Sequence, residues 1–294
     1  MRGKFEGFGW VVGLRRSIGM PKIEKIWRNV DGRRSNVVLI RHANTAFNVA
    51  YDKIIETAGF GPQILELFHD ESYRDASLSE IGIKECQYAS QHAHQLDIDL
   101  VLMSPMRRTL QTAYYLLRSH PNRKQIKYIV HPSLRELLYG YSGMTRNWGH
   151  QLNMEYQYYF PNLDTSLMEN QDGTYNELFF CQDVQPKLSQ QFVGKSQQQI
   201  ECIIMKAERA NFPGNAEELE CAINRSLKVK KYISDYLITR DFSLNYKKVL
   251  VVTHSLLLQT WISDWTKIER PYKEFPKGTK WAKNCEFVLD PEFD

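Results

Sequence analysis

Four short apolar runs constrain this chain more than anything else in it: "NVVLIR" at 36–41, "DLVLMS" at 99–104, "QIKYIVH" at 125–131 and "KKVLVVT" at 247–253. Each is too short for a buried helix and is rich in Val, Ile and Leu. A strand with one wet face alternates apolar and polar residues. These runs do not, so both of their faces must be covered, which is the habit of parallel sheets. Helical patterns lie between them. "DASLSEIGIKECQYASQHAHQL" carries Leu78, Ile81, Glu85, Tyr88 and Ala89 at helical spacing, and its Ser77 and Glu80 predict a capping box. Ser104 is expected to cap a helix with Pro105 in its first position. Asn215 and Glu218 predict the start of a long helix through Leu219, Ile223, Leu227, Ile233 and Leu237, "SLLLQTWISDW" a further helix, and "CEFVLD" a final strand. The expected fold is α/β: three α/β/α layers around a mostly parallel sheet.

Two stretches break the rhythm. Residues 1–35 form a basic, glycine-rich arm, with Gly3, Gly7, Gly9 and Gly13 opposing a stable helix. Its "GFGWVVG" has the wrong spacing and no preceding strand for a dinucleotide fingerprint. A solvated tail, a docking element and an import segment all remain open for it, although Glu6 and Glu24 argue against import. Residues 144–213, rich in Tyr, Gln, Asn and Phe, read as a cap inserted into a domain spanning 36–294. A net charge of +4 is too small to argue for nucleic acid. The 5 cysteines are scattered without a C-x-x-C pair, which suggests reduced thiols in an intracellular protein, cytoplasmic or mitochondrial. No apolar run is long enough to predict a membrane span.

In open parallel sheets, ligands bind beyond the carboxyl ends of the strands. The polar residues expected there are Arg41 and His42 after the first strand, Ser104 and then Arg107 and Arg108 after the second, and His254 after "VLVVT". Arginine forks suit phosphate, and helix N-termini add positive partial charge. A neutral imidazole is a competent nucleophile toward phosphorus, and phosphoryl transfer otherwise needs positioning, charge stabilisation and a proton for the leaving oxygen. Glu136, in "SLRELLYG", is the candidate acid. Taken alone, each of these residues would read as structural, and so do His69, His92, His94, His120, His131 and His150. Only the joint placement points to chemistry.

With these motifs in order, the chain resembles the histidine phosphatase superfamily, the phosphoglycerate-mutase-like group. "LIRHANTAFN" matches L-x-R-H-G-x-T-x-x-N with Ala43 for glycine. "DASLSEIG" matches D-x-x-L-T-x-x-G with Ser79 for threonine. "SPMRRTLQTA" matches S-P-L-x-R-A-x-x-T-A and aligns Arg108, leaving Arg107 as the variable neighbour. Leu134 to Glu136 match L-x-E, and "VVTHS" matches V-x-H-G with Ser255 for glycine. The resemblance covers residues 36–143 and about 214–289. It implies a transient phosphohistidine on His42, a phosphate pocket of Arg41, Arg108 and His254 with Asn48 near the phosphate, Glu136 as acid then base, and no metal or other cofactor. Mutases of this group resemble E-R-H-Y-G around their acid; "RELLYGYSGM" lacks that string, so a phosphatase is favoured.

The substrate implied is a small-molecule or protein phosphomonoester. The alternative is a noncatalytic or moonlighting subunit of a larger assembly, mitochondrial among the options, held through the arm and the cap. The arm makes this testable. Phe5, Phe8, Trp10, Val11 and Val12 offer apolar area worth burying, beside basic residues suited to an acidic surface. Deleting residues 1–35 should leave kcat/KM unchanged and abolish co-purification of partners; retained co-purification would make the arm a tail.

Overall fold

The structure is a computed structural model that describes residues 36–138, 140–145, 149–168, 190–196, 198–200, 202–203, 206, 217–238, 248–270, 275–276, 279 and 281–290. The arm, half of the inserted stretch and the proposed cap Asn215 lie outside the described residues. The strands are β1 (Val37–Arg41), β2 (Ile98–Met103), β3 (Lys127–Val130), β4 (Leu163–Asp164), β5 (Lys248–Thr253) and β6 (Phe287–Leu289). They form one sheet in the order β4-β3-β2-β5-β1-β6. Every pairing is parallel except that of β6, which runs antiparallel along β1.

Helices cover both faces, as the unbroken apolar strands require. On one face Val38, Ile40, Val101, Met103, Leu250 and Val252 pack against α3 (Glu80–Ala93), α4 (Arg107–Leu117) and α5 (Gly149–Tyr156). On the other, Val37, Leu39, Leu100, Leu102, Val249 and Val251 pack against α6 (Leu219–Ile238) and α7 (Ser255–Ile262). Neighbouring residues of one strand thus serve opposite cores, which is why positions 37–40, 100–103 and 249–252 are apolar throughout. The three-layer α/β/α expectation is met.

Several local expectations are corrected. Residues between β1 and α3, read as loop, contain α1 (Ala46–Ala58) and α2 (Pro62–Phe68). Helix α1 starts at a capping box made by Thr45 and Asn48, an asparagine version that the S-x-x-E pattern misses. Together α1 and α2 bury a small separate cluster around Tyr51, Ile64 and Leu67. Helix α3 is capped by Ser79, whose Oγ accepts from the Gly82 N–H, because an isolated bridge between Thr45 and Leu78 keeps the chain extended past Ser77. Helix α4 begins at Arg107 without a side-chain cap of its own. The Asp75 Oδ1 accepts from the Arg107 N–H at 2.8 Å and satisfies the helix from outside. In the stretch read as cap, residues 163–164 add β4 to the sheet beside β3. No disulfide joins the described cysteines, and Cys181 lies outside them. Among the described residues, no helix is long and apolar enough to cross a membrane.

One glycine is required by close approach. A Cβ on Gly82 would sit 2.0 Å from the Asn44 carbonyl oxygen, so the first turn of α3 can press on the segment after His42 only with hydrogen there. The clash is with backbone and cannot be relieved by a side-chain rotation. Gly82→Ala should destabilise the fold by about 1–3 kcal/mol, the usual range for overpacking. A lowered Tm in thermal unfolding, together with lost activity from the displaced 42–45 segment, is the expected result.

Candidate active site

The register of β5 assembles the site. Arg41 pairs with Thr253, and the His42 N–H donates to the Thr253 carbonyl at 2.9 Å. The Ser104 N–H donates to the Val252 carbonyl, so the end of β2 arrives at the same rim. The rings of His42 and His254 stand 5.2 Å apart between centroids, both buried. Arg108, from the first turn of α4, donates through Nε to the His254 Nδ1 at 3.2 Å. Glu136 follows β3 and sits at the N-terminus of α7. There its Oε2 accepts from the Ser255 hydroxyl at 3.4 Å, and its carboxylate also accepts from the Leu256 N–H. The Ser255 hydroxyl therefore holds Glu136 rather than capping its own helix.

Hydrogen bonding fixes both imidazole tautomers. The His42 Nδ1 lies 2.8 Å from the Ala43 carbonyl, which can only accept, so Nδ1 carries the proton and Nε2 keeps its lone pair. The His254 Nδ1 accepts from Arg108, so its proton is on Nε2, which donates to the Ser104 Oγ at 2.8 Å. Burial, then Arg108 and Arg41, hold His42 well below the usual imidazole range. Burial and Arg108 do the same for His254. Both rings are neutral at physiological pH. Burial pushes Arg41 down to about 10, with Glu136 and Glu85 opposing it, so it stays cationic. Burial lowers Arg108 as well, opposed by Asp75 and Glu136. Burial raises the Glu136 carboxyl, against the pull of Arg108, the Leu137 N–H and Arg41.

Arg41 donates through Nη1 to the Ala282 carbonyl at 3.0 Å, while its buried Nε has no hydrogen-bond partner. The Asn48 Oδ1 accepts from the N–H and hydroxyl of Thr45 and so closes the α1 cap. The Arg107 side chain turns away from the site toward Glu155 on α5, at 3.6 Å. Ala43 replaces the motif glycine without strain, since Asp75 and Cys285 are the positive-φ non-glycines among the described residues.

Three supporting residues escaped the sequence reading. Thr112 accepts from the Ala43 N–H at 3.0 Å and donates to the Arg108 carbonyl, tying the His42 segment to α4. Glu85 accepts from the Asn44 N–H at 2.7 Å. Asp75 caps α4 as described. Thr112 and Asp75 occupy fixed letters of the matching motifs, so a signal for them was present. Nothing in sequence marked Glu85. Among the described residues, no group of three or more His, Cys, Asp or Glu could hold a metal ion.

Residues 66–173 match the family model described as "Histidine phosphatase superfamily (branch 1)", which bears out the resemblance over that span. The span includes Arg108 and Glu136. Arg41, His42 and His254 lie outside it, and the sheet brings them alongside. No curated protein matches the chain. Solved structures similar to it include a phosphoglycerate mutase from Bacillus anthracis str. Sterne, with 19% identity, 80% of this chain and 83% of that one covered, and a TM-score of 0.42. The alpha-ribazole phosphatase from Shigella flexneri gives 18% identity, 76% and 75% coverage and a TM-score of 0.39. The ecdysone phosphate phosphatase from Bombix mori, in complex with tungstate, gives 14%, 87% and 88%, and 0.44.

The electrostatics predict how an oxyanion binds. With Glu136 protonated, Arg41 keeps only Glu85 and Asp52, and Arg108 only Asp75, as the carboxylates acting on them; ionisation of Glu136 adds a negative charge beside both. Tungstate affinity, measured by calorimetry, should therefore fall as pH rises through the raised Glu136 pKa, above the ordinary carboxylate value of 4.5. Glu136→Gln should remove that dependence.

Proposed function

We propose that the chain is a metal-independent phosphomonoester phosphatase acting through a phosphohistidine on His42. The observation that carries this reading is the neutral His42 Nε2, freed by the Nδ1 bond to Ala43 and flanked by Arg41, Arg108 and His254.

In the proposed first step the His42 Nε2 lone pair attacks phosphorus and the ester P–O bond breaks. Glu136, whose carboxyl burial shifts upward, gives its proton to the departing alkoxide. Arg41 and Arg108 take up charge on the phosphoryl oxygens, and Asn48 completes the phosphate pocket. In the second step the Glu136 carboxylate accepts a proton from water, whose oxygen attacks the phosphohistidine. Inorganic phosphate leaves, His42 recovers its lone pair and Glu136 its proton. His254 is held beside the His42 ring by Ser104 and Arg108, and it steadies the transferring group by turning its single N–H, on Nε2, from the Ser104 Oγ to a phosphoryl oxygen. A phosphatase is preferred to a mutase because "RELLYGYSGM" lacks the E-R-H-Y-G string.

Acid quench of enzyme turning over a labelled phosphomonoester should trap an acid-labile phosphoprotein that is absent in His42→Ala. Arg108→Ala should lower kcat/KM by about 10³-fold or more. Arg107→Ala, which loses only the contact with Glu155, should leave it within a few-fold, and EDTA should not inhibit. Label retained in His42→Ala, or equal losses in the two arginine variants, overturns the assignment. Absence of turnover on a broad phosphomonoester panel would favour the noncatalytic subunit.

A further inference from the structure

The segment that carries Glu136 is held in an unusual way. Four consecutive backbone carbonyls each accept from a buried side chain. Ser133 and Arg135 receive the Arg225 Nη1, at 2.6 and 2.9 Å. Leu134 receives the Thr253 Oγ1 at 3.0 Å, and Glu136 receives the Arg135 Nη1 at 3.1 Å. The two arginines are joined through Glu217, whose Oε2 pairs with Arg135 at 2.6 Å and whose Oε1 pairs with Arg225 at 2.7 Å. All three side chains are at most 1% exposed. Segments after a strand end usually satisfy carbonyls with water or a further strand. Here three of the four carbonyls are met by an Arg–Glu–Arg bridge made of Arg225 from α6, Glu217 from just before it and Arg135 from the segment itself, and the fourth by Thr253.

We infer that Arg135, Glu217 and Arg225 form a positioning triad that fixes the main chain of residues 133–136 and so sets the Glu136 carboxylate against the N-terminus of α7. A buried bridge of three charges is costly to desolvate and is often replaceable by apolar residues without loss of stability. Its distinctive contribution here is geometric, because a planar guanidinium can hold a carboxylate and two carbonyls at fixed angles. Thr253 fixes the fourth carbonyl from the residue before His254, so the acid and the second histidine share one frame. The charged groups facing Glu136 are Arg108 from α4 and Arg41 from β1, with N–H donors at Leu137 and Leu256. Proton donation by Glu136 rests on the proposed reaction; its placement by the triad does not.

Arg225→Lys tests this in the full chain, since it keeps the charge and loses the fork. The first measurement is the pH titration of the Leu137 and Leu256 amide resonances, whose N–H groups bond the Glu136 carboxylate. In the wild type they should share an inflection above the ordinary carboxylate range, and in Arg225→Lys it should move toward that range. The second measurement compares an alkyl phosphate, whose leaving group needs a proton, with p-nitrophenyl phosphate, whose leaving group does not. Arg225→Lys should lower kcat/KM for the alkyl ester by about 10-fold or more and for the aryl ester by no more than a few-fold, as loss of general acid help requires. A folded variant with an unmoved inflection, or equal losses on both esters, overturns the inference. If the wild type turns over neither ester, the phosphatase reading falls while the amide titration still decides the triad. Arg135→Lys provides the same test should Arg225→Lys fail to fold. Failure of both would make the triad a folding element and overturn its positioning role.

Discussion

The parallel pairing of β1 with β5 is the contact on which the site depends. It sets Arg41 opposite Thr253 and extends by one bond, from the His42 N–H to the Thr253 carbonyl. A slip of one residue would turn Val38 and Ile40 into the other core and carry Arg41 and His42 with them. Both cores hold β1 and β5 residues at 0% exposure, so such a slip would exchange side chains between two close-packed interiors fitted to others. The two histidines are thus placed by apolar packing beneath them. The same packing supplies the dry surroundings that keep both imidazoles neutral and raise the Glu136 carboxyl above its ordinary value.

Around that pairing, neighbouring elements constrain one side chain each. Helix α4 brings Arg108 and, one turn on, the Thr112 hydroxyl that holds Ala43. Helix α3 comes close enough to touch Asn44 because Gly82 has no side chain, and its Glu85 then reaches the Asn44 N–H. Ser255 and the N-terminus of α7 receive Glu136. Little of this could be supplied by a flexible loop, since most of the donors and acceptors are buried and a missing partner would leave an unsatisfied polar group.

The strands and their placement were legible because a run buried on both faces leaves an unmistakable mark. "VVLIR" and "VLVVT" can hardly be anything else. Arg41, His42, Arg108 and His254 followed from the rule that such strands present chemistry at their carboxyl ends. Helices α1 and α2 were not legible, since they cover a small satellite cluster and α1 begins at an Asn-based cap. The start of α4 was misplaced: the Ser104 Oγ accepts from the Met106 N–H and from His254, yet the regular helix begins only at Arg107. Glu85 and Glu217 were invisible for a different reason. Each acts on a segment far along the chain, Glu217 on residue 135 and Glu85 on residue 44, and no local pattern encodes such a meeting.

The strand order also has a consequence for how the molecule is made. β1 emerges first of the sheet strands, yet its neighbours in the sheet are β5 and β6, which lie beyond residue 247. At about 5–20 residues per second, ribosomal synthesis leaves about 10–40 s between them. Through that interval an apolar strand with two unmatched edges must wait, while β2 and β3 can already pair. Arg41 and His42 therefore stay apart from Thr253 and His254 until β5 has been made. A nascent or prematurely ended chain would hold the strand that carries His42 without the strand that seats it, an exposed edge suited to chaperones or to aggregation.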